Sequence, residues 1–211
     1  RAFVTDDGVS IAYDDSGPAE GQAVVLCHGL AASGRQFVAD AAFFAGMGFR
    51  VLVPELRGHG ESGKAGSASP ETYSIERLAR DLLQMLDETG AQDVHWVGNS
   101  LGGIVALWML DRHADRFRTL TTFGTAYALS LPRFAARAIP LSYRVLGPRL
   151  TARMTAASTT HVPAARDLIR EVLETFDPDV GYAVAANLTR YDLIGNAVGT
   201  TVPILMLHCG R

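Results

Sequence analysis

The chain has 211 residues, 48% hydrophobic and 19% charged, with a formal net charge of −3. This composition describes a globular domain with a large core, and its charge gives no electrostatic reason to expect nucleic acid or a membrane surface as partner. No apolar run reaches membrane length, no signal-peptide pattern follows Arg1, and two cysteines (Cys27, Cys209) make no disulfide framework, which suits a reducing, cytoplasmic compartment.

In chain order, Ala2–Thr5 and Val9–Asp14 alternate apolar and polar residues about Asp6-Asp7-Gly8, which predicts a β-hairpin. Ala23–His28 and Arg50–Pro54 are nearly continuous apolar runs, as in strands buried on both faces of a parallel sheet. Ser74 can N-cap a helix with apolar residues at Ile75, Leu78, Ala79, Leu82, Leu83 and Leu86, closed by Gly90. Asp93–Val97 and Thr119–Phe123 predict two more strands, with a buried helix from Leu101 between them.

From Tyr127 to Gly199 the alternation stops. Helical patterns broken by Pro132, Pro140, Pro148, Pro163 and Pro178 run on, with no convincing strand before Pro203–His208. The expected fold class is α/β, a doubly wound, mostly parallel sheet formed by residues 1–126 and 200–211. Residues 127–199 are expected as an inserted helical cap, carrying eight Arg against six acidic residues while the remainder is net negative.

The chemistry is expected where "HWVGNSLGGIVALWML" (His95–Leu110) passes from strand to helix. A tight turn there pushes Ser100 out above the strand ends, while Gly98, Asn99, Gly102 and Gly103 let the backbone pass. The helix N-terminus then lies beneath Ser100, so the Leu101 N–H faces any anion formed there. In "VVLCHGLAASGRQF" a strand ends at His28-Gly29, and the N–H of Leu30 is the second candidate oxyanion donor. Acyl transfer needs two such donors aimed at one developing charge.

A third stretch, "RVLVPELRGHGESG" (Arg50–Gly63), completes a pattern. Together the three resemble the α/β-hydrolase superfamily over essentially the whole chain. Members usually have Asp where Glu55 stands. The resemblance implies a serine hydrolase of small carboxylic esters or lactones, using Ser100 as nucleophile and Leu30 and Leu101 as oxyanion donors. It implies no cofactor and no metal. The expected partner is a small-molecule substrate, with no nucleic acid, no membrane and the oligomeric state open. His28 and His59 match loop positions that hold turns, and neither they nor His95, His113, His161 and His208 fall where the resemblance puts the base.

The same resemblance orders the triad as Ser, acid, His. It puts the acid within a few residues of Arg211 and the histidine one strand later, while Thr125 occupies an alternative acid position without being acidic. Residues 1–211 alone are therefore expected to be nearly silent and prone to aggregate, with Cys209, Gly210 and Arg211 beginning the loop after the last strand. The segment from Ala165 to Gly195 is similar to caps of enol-lactonase-like members, and Arg133 and Arg137 are candidates for gripping a substrate carboxylate, weighed against solvated surface arginines. Perhydrolases of the haloperoxidase type share the framework. Carbon–carbon bond hydrolases share the Gly-Asn-Ser-x-Gly-Gly run but usually have a more Gly-rich loop than His28–Gly34. Epoxide hydrolases and dehalogenases place Asp at the Ser100 position. The alternative of a different class is a non-catalytic receptor on the same scaffold.

Overall fold

The computed structural model describes residues 1–208, so the expectation for Cys209–Arg211 lies outside the described residues. Its elements are β1 (Ala2–Val4), β2 (Ser10–Ser16), β3 (Ala23–Cys27), α1 (Val38–Gly46), β4 (Arg50–Pro54), α2 (Ile75–Thr89), β5 (Val94–Asn99) and α3 (Leu101–His113). They continue with β6 (Phe117–Phe123), β7 (Ala128–Ser130), α4 (Ala138–Thr159), α5 (Pro163–Thr175), α6 (Pro178–Leu188), β8 (Arg190–Asp192), α7 (Ile194–Gly199) and β9 (Ile204–Leu207).

One sheet runs β1-β2-β4-β3-β5-β6-β9. β1 and β2 form the antiparallel edge, and β4, β3, β5, β6 and β9 are parallel. Every residue of β3 is buried, because helices cover both faces of its sheet. Val24, Leu26, Val51 and Val53 pack with Phe37 and, through Phe44, with α1. The opposite face builds the larger core, where Val25, Cys27, Leu52 and Trp96 meet the apolar faces of α2 and α3.

Helix α2 follows its sequence signals closely. Ser74 accepts the Arg77 N–H at 3.1 Å, and Gly90 closes the helix at φ 65°. The buried stripe is Leu78, Ala79, Leu82, Met85 and Leu86, with Asp81 buried beside it.

The inserted segment departs from the expectation in two respects. It is not wholly helical: β7 and β8 pair antiparallel, Ala128 opposite Asp192 and Ser130 opposite Arg190. Strands of three residues are too short to show a period in sequence, and this pair forms only because the segment returns to its starting point. Pro140 departs from the expectation, lying in the first turn of α4 without interrupting it, while later prolines mark helix starts. Pro163 and Pro178 open α5 and α6, while α4 breaks at Gly147 (φ 75°, ψ 162°) and resumes at Pro148.

Helix α6 reaches the main core through Val180, Ala183 and Val184. The Phe176 ring lies 5.0 Å from His59, and Asn187 bonds the carbonyls of Pro70 and Tyr73. The segment is thus packed on the loops at the carboxyl ends of the parallel strands. α7 is already back on the core, with Asn196 Nδ2 donating to Leu107 O at 3.1 Å.

Candidate active site

Ser100 joins β5 to α3 with φ 47° and ψ −109°. A positive φ on a residue other than glycine costs about 1–3 kcal/mol and persists only when its surroundings enforce it. Here the surroundings are close-packed backbone. A Cβ on Gly98 would lie 2.5 Å from Gly103 N, and one on Gly102 would overlap the Cys27 carbonyl oxygen. The Ser100 N–H donates to Phe123 O at 2.9 Å, and Ser100 O accepts from Gly103 and Ile104 N–H at 3.0 Å each. Thr125 Oγ1 donates to the same carbonyl at 3.3 Å, and Asn99 Nδ2 to Phe123 O at 3.3 Å.

Ser100 stands at the N-cap of α3, yet its side chain makes no capping bond. Among the described residues its Oγ has no hydrogen-bond partner. Leu101 is the first helical residue, so its N–H is one of the orphan donors of the helix start, where the macrodipole is positive.

The loop after β3 comes up against this turn. A Cβ on Gly29 would touch Asn99 Oδ1 at 3.0 Å and Ser100 Cβ at 3.3 Å. Tertiary packing therefore brings His28, Gly29 and Leu30 to the Gly98–Gly103 turn, and the Leu30 N–H has no protein partner among the described residues. Three side chains pin the loop. His28 Nδ1 bonds Gly29 O at 2.8 Å while Nε2 accepts the Leu56 N–H at 3.1 Å. His59 Nε2 accepts the Ala31 N–H at 3.1 Å, and its Nδ1 bonds Arg57 O at 3.0 Å. Glu55 Oε1 accepts the Gly34 N–H at 3.0 Å.

Both imidazoles thus spend both nitrogens on the main chain, and neither has a lone pair to offer Ser100. Burial, reinforced by neighbouring His28, pushes the pKa of His59 down to about 3, so it is neutral at physiological pH. His95 is bonded to Thr119 Oγ1 at 2.8 Å instead. His161 and His208 are exposed.

Sequence reasoning missed the system that holds the loop after β4. Arg57 is fully buried and forms a bidentate pair with Asp81 of α2, Nε to Oδ2 at 2.6 Å and Nη2 to Oδ1 at 2.8 Å. It also reaches Asp7 of the first hairpin at 2.8 Å. A charge in the run "LRGHG" was the available signal, but its partners lie far away in sequence. Glu55, noted only as a departure from the family, is the group that ties this loop to Gly34.

Arg133 and Arg137 make no hydrogen bond to the turn among the described residues. They are exposed on the short 3-10 helix Arg133–Arg137, without an ion pair among the described residues. A cavity of about 320 Å³ is lined by Ser33, Glu55, Gly60, Lys64, Phe176 and Asp177, and Ser100 is not part of its wall. Cavity size therefore does not point to the Ser100 turn.

A family model described as the alpha/beta hydrolase fold matches residues 22–179. The chain belongs to the alpha/beta hydrolase fold family. Epoxide hydrolase A of Mycobacterium tuberculosis is 31% identical over 138 residues, covering 65% of this chain and 40% of that protein. 3-Oxoadipate enol-lactonase 1 of Acinetobacter baylyi is 28% identical over 119 residues, 56% of this chain and 42% of that one. The chain thus matches less than half the length of these alpha/beta hydrolases.

Among solved structures, a hydrolase from Pseudomonas aeruginosa superposes with a TM-score of 0.85 at 24% identity, over 98% of this chain and 78% of that one. The enol-lactonase from Burkholderia xenovorans gives 0.82 at 26% identity, over 98% and 80%. The fold of this alpha/beta hydrolase is therefore shared along almost all of its length. Among the described residues no helix is long and apolar enough to cross a membrane.

Proposed function

We propose that this alpha/beta hydrolase acts on small carboxylic esters or lactones through an acyl-enzyme on Ser100. The observation that carries the reading is the strained backbone of Ser100, with its Oγ uncommitted above the start of α3. In the proposed reaction Oγ attacks the substrate carbonyl and gives up its proton to a base. The tetrahedral oxyanion receives the N–H groups of Leu30 and Leu101; its collapse breaks the C–O bond as the protonated base returns its proton to the leaving oxygen, and water, deprotonated by the same base, then cleaves the acyl-serine to release the acid and restore the serine hydroxyl.

His28 and His59 have both ring nitrogens bonded to the main chain, so the reading gives neither of them the role of the base. The inserted segment 127–199 is the proposed cap over Ser100. Several relatives are named epoxide hydrolases, but serine stands at the position where that chemistry uses aspartate. Support for ester chemistry also comes from relatives named a bifunctional esterase/perhydrolase and an enol-lactonase.

The test is a fluorophosphonate probe on the full chain, with Ser100→Ala beside it. Labelling that maps to Ser100, and ester turnover that drops by several orders of magnitude in the variant, is the expected result. An unlabelled but folded protein would favour a non-catalytic receptor instead.

A further inference from the structure

The stretch between Asp115 and Asp167 contains no acidic residue, and α4 lies within it. Arg133, Arg137, Arg144, Arg149 and Arg153 are all exposed, and none has an ion pair among the described residues. Large apolar side chains stand between them. Phe134 is 71% exposed, Val145 69% and Met154 56%, with Leu141 and Leu150 also open to solvent.

The spacing groups these residues. Leu141 and Val145, and Leu150 and Met154, are four apart on the two halves of α4, so each pair shares a helix face beside an arginine. α4 turns its small residues inward, burying Thr151, Ala152 and Ala156, and its packing partners are α5, α6 and the short 3-10 helix before it. Among the described residues these are its main packing partners, and Leu141, Val145, Leu150 and Met154 stay open to solvent. A depression of about 230 Å³ between α4 and α5 is lined by Arg153, Arg166 and Arg170, with Asp167 held by Arg170 at 3.2 Å.

We propose that this face of the inserted segment docks on an anionic phospholipid surface. The arginines would meet headgroup phosphates, and Phe134, Leu141, Val145, Leu150 and Met154 would enter the headgroup–acyl boundary. A basic helix with apolar residues between its charges fits that occupant, because the two kinds of side chain find complements at one depth. The overall charge of −3 does not oppose it, since charges farther away than a Debye length, about 8 Å at physiological salt, are screened. Docking of this kind lies on the surface and needs no membrane-crossing helix. It does not rest on the ester-hydrolase reading, since Arg144, Arg149 and Arg153 have no part in the reaction proposed for Ser100.

The experiment is co-sedimentation of the full chain with vesicles of phosphatidylcholine alone and of phosphatidylcholine mixed with phosphatidylglycerol, at low and high salt. Binding to the mixed vesicles only, released by salt, is the expected result. R144Q/R149Q/R153Q should lower the partition coefficient about a hundredfold. V145S/M154S should lower it as well while keeping the salt dependence. All five side chains are exposed, so circular dichroism and thermal melting should match the parent and keep the comparison valid. No binding to the mixed vesicles, equal binding to both compositions, or full binding by the triple arginine variant would overturn the proposal. So would a dimer in solution that hides this face, seen by sedimentation equilibrium and dissolved by the same substitutions.

Discussion

The backbone N–H of Ala31 donates to His59 Nε2 at 3.1 Å, tying the loop after β3 to the loop after β4. Ala31 has φ 54°, a strained conformation that this bond helps to hold. The neighbouring residue, Leu30, carries the proposed oxyanion N–H. A buried histidine thus holds the main chain next to the proposed oxyanion donor, with both its ring nitrogens bonded to backbone.

This arrangement has a consequence for stability against pH. His59 titrates near 6.5 in an unfolded chain and at about 3 when folded. Between those values the unfolded state binds the extra proton, so stability is full above pH of about 6.5 and declines as pH falls toward 3, by about 1.4 kcal/mol per pH unit. His95, also depressed by burial, adds to the same sign. Urea unfolding at a series of pH values above the carboxylate range should show this slope, and His59→Asn should flatten it. An unchanged slope in the variant would remove His59 from the account.

Asp81→Ala should destabilise the protein by about 3–5 kcal/mol, because it leaves the buried Arg57 guanidinium without its bidentate partner. Replacing both residues by apolar ones of similar volume should cost less than the single change. The exposed pair Arg80–Glu76, by contrast, should be worth about 0–1 kcal/mol. Equilibrium denaturation of the three variants would rank them, and equal losses would contradict the burial argument.

Gly102→Ala should reverse the usual helix rule. Alanine in place of a helical glycine ordinarily stabilises by roughly 0.5–1 kcal/mol. Here the added methyl would overlap the Cys27 carbonyl, which is backbone of a central strand and cannot move aside. A lower melting temperature together with reduced labelling of Ser100 is expected. A gain in stability would mean that the start of α3 and β3 are less closely packed than described.

Arg133→Ala and Arg137→Ala separate two roles for these exposed arginines. If they select acidic substrates, kcat/KM should fall for carboxylate-bearing esters and hold for neutral ones. Equal loss on both would exclude the carboxylate role. No change on either, with weaker binding to anionic vesicles, would assign them wholly to the outer face of the inserted segment.

Much of the frame was legible from local rules. Ser74 and Gly90 bound α2 because capping depends on neighbouring residues alone, and the continuous run Ala23–Cys27 announced a strand buried on both faces. The Gly98–Gly103 run located the tight turn between β5 and α3, since close backbone approach demands glycine wherever the partner comes from. What the sequence could not disclose depends on residues distant along the chain. Arg57 found Asp81 and Asp7, Glu55 found Gly34, and β7 found β8 only once the sheet order and the inserted segment were in place. The outer face of α4 belongs to the same class. Its arginines and apolar residues are plain in the sequence, but which of them the fold would bury was decided by its packing on α5 and α6, because burial is a property of the assembled layers and not of any one helix.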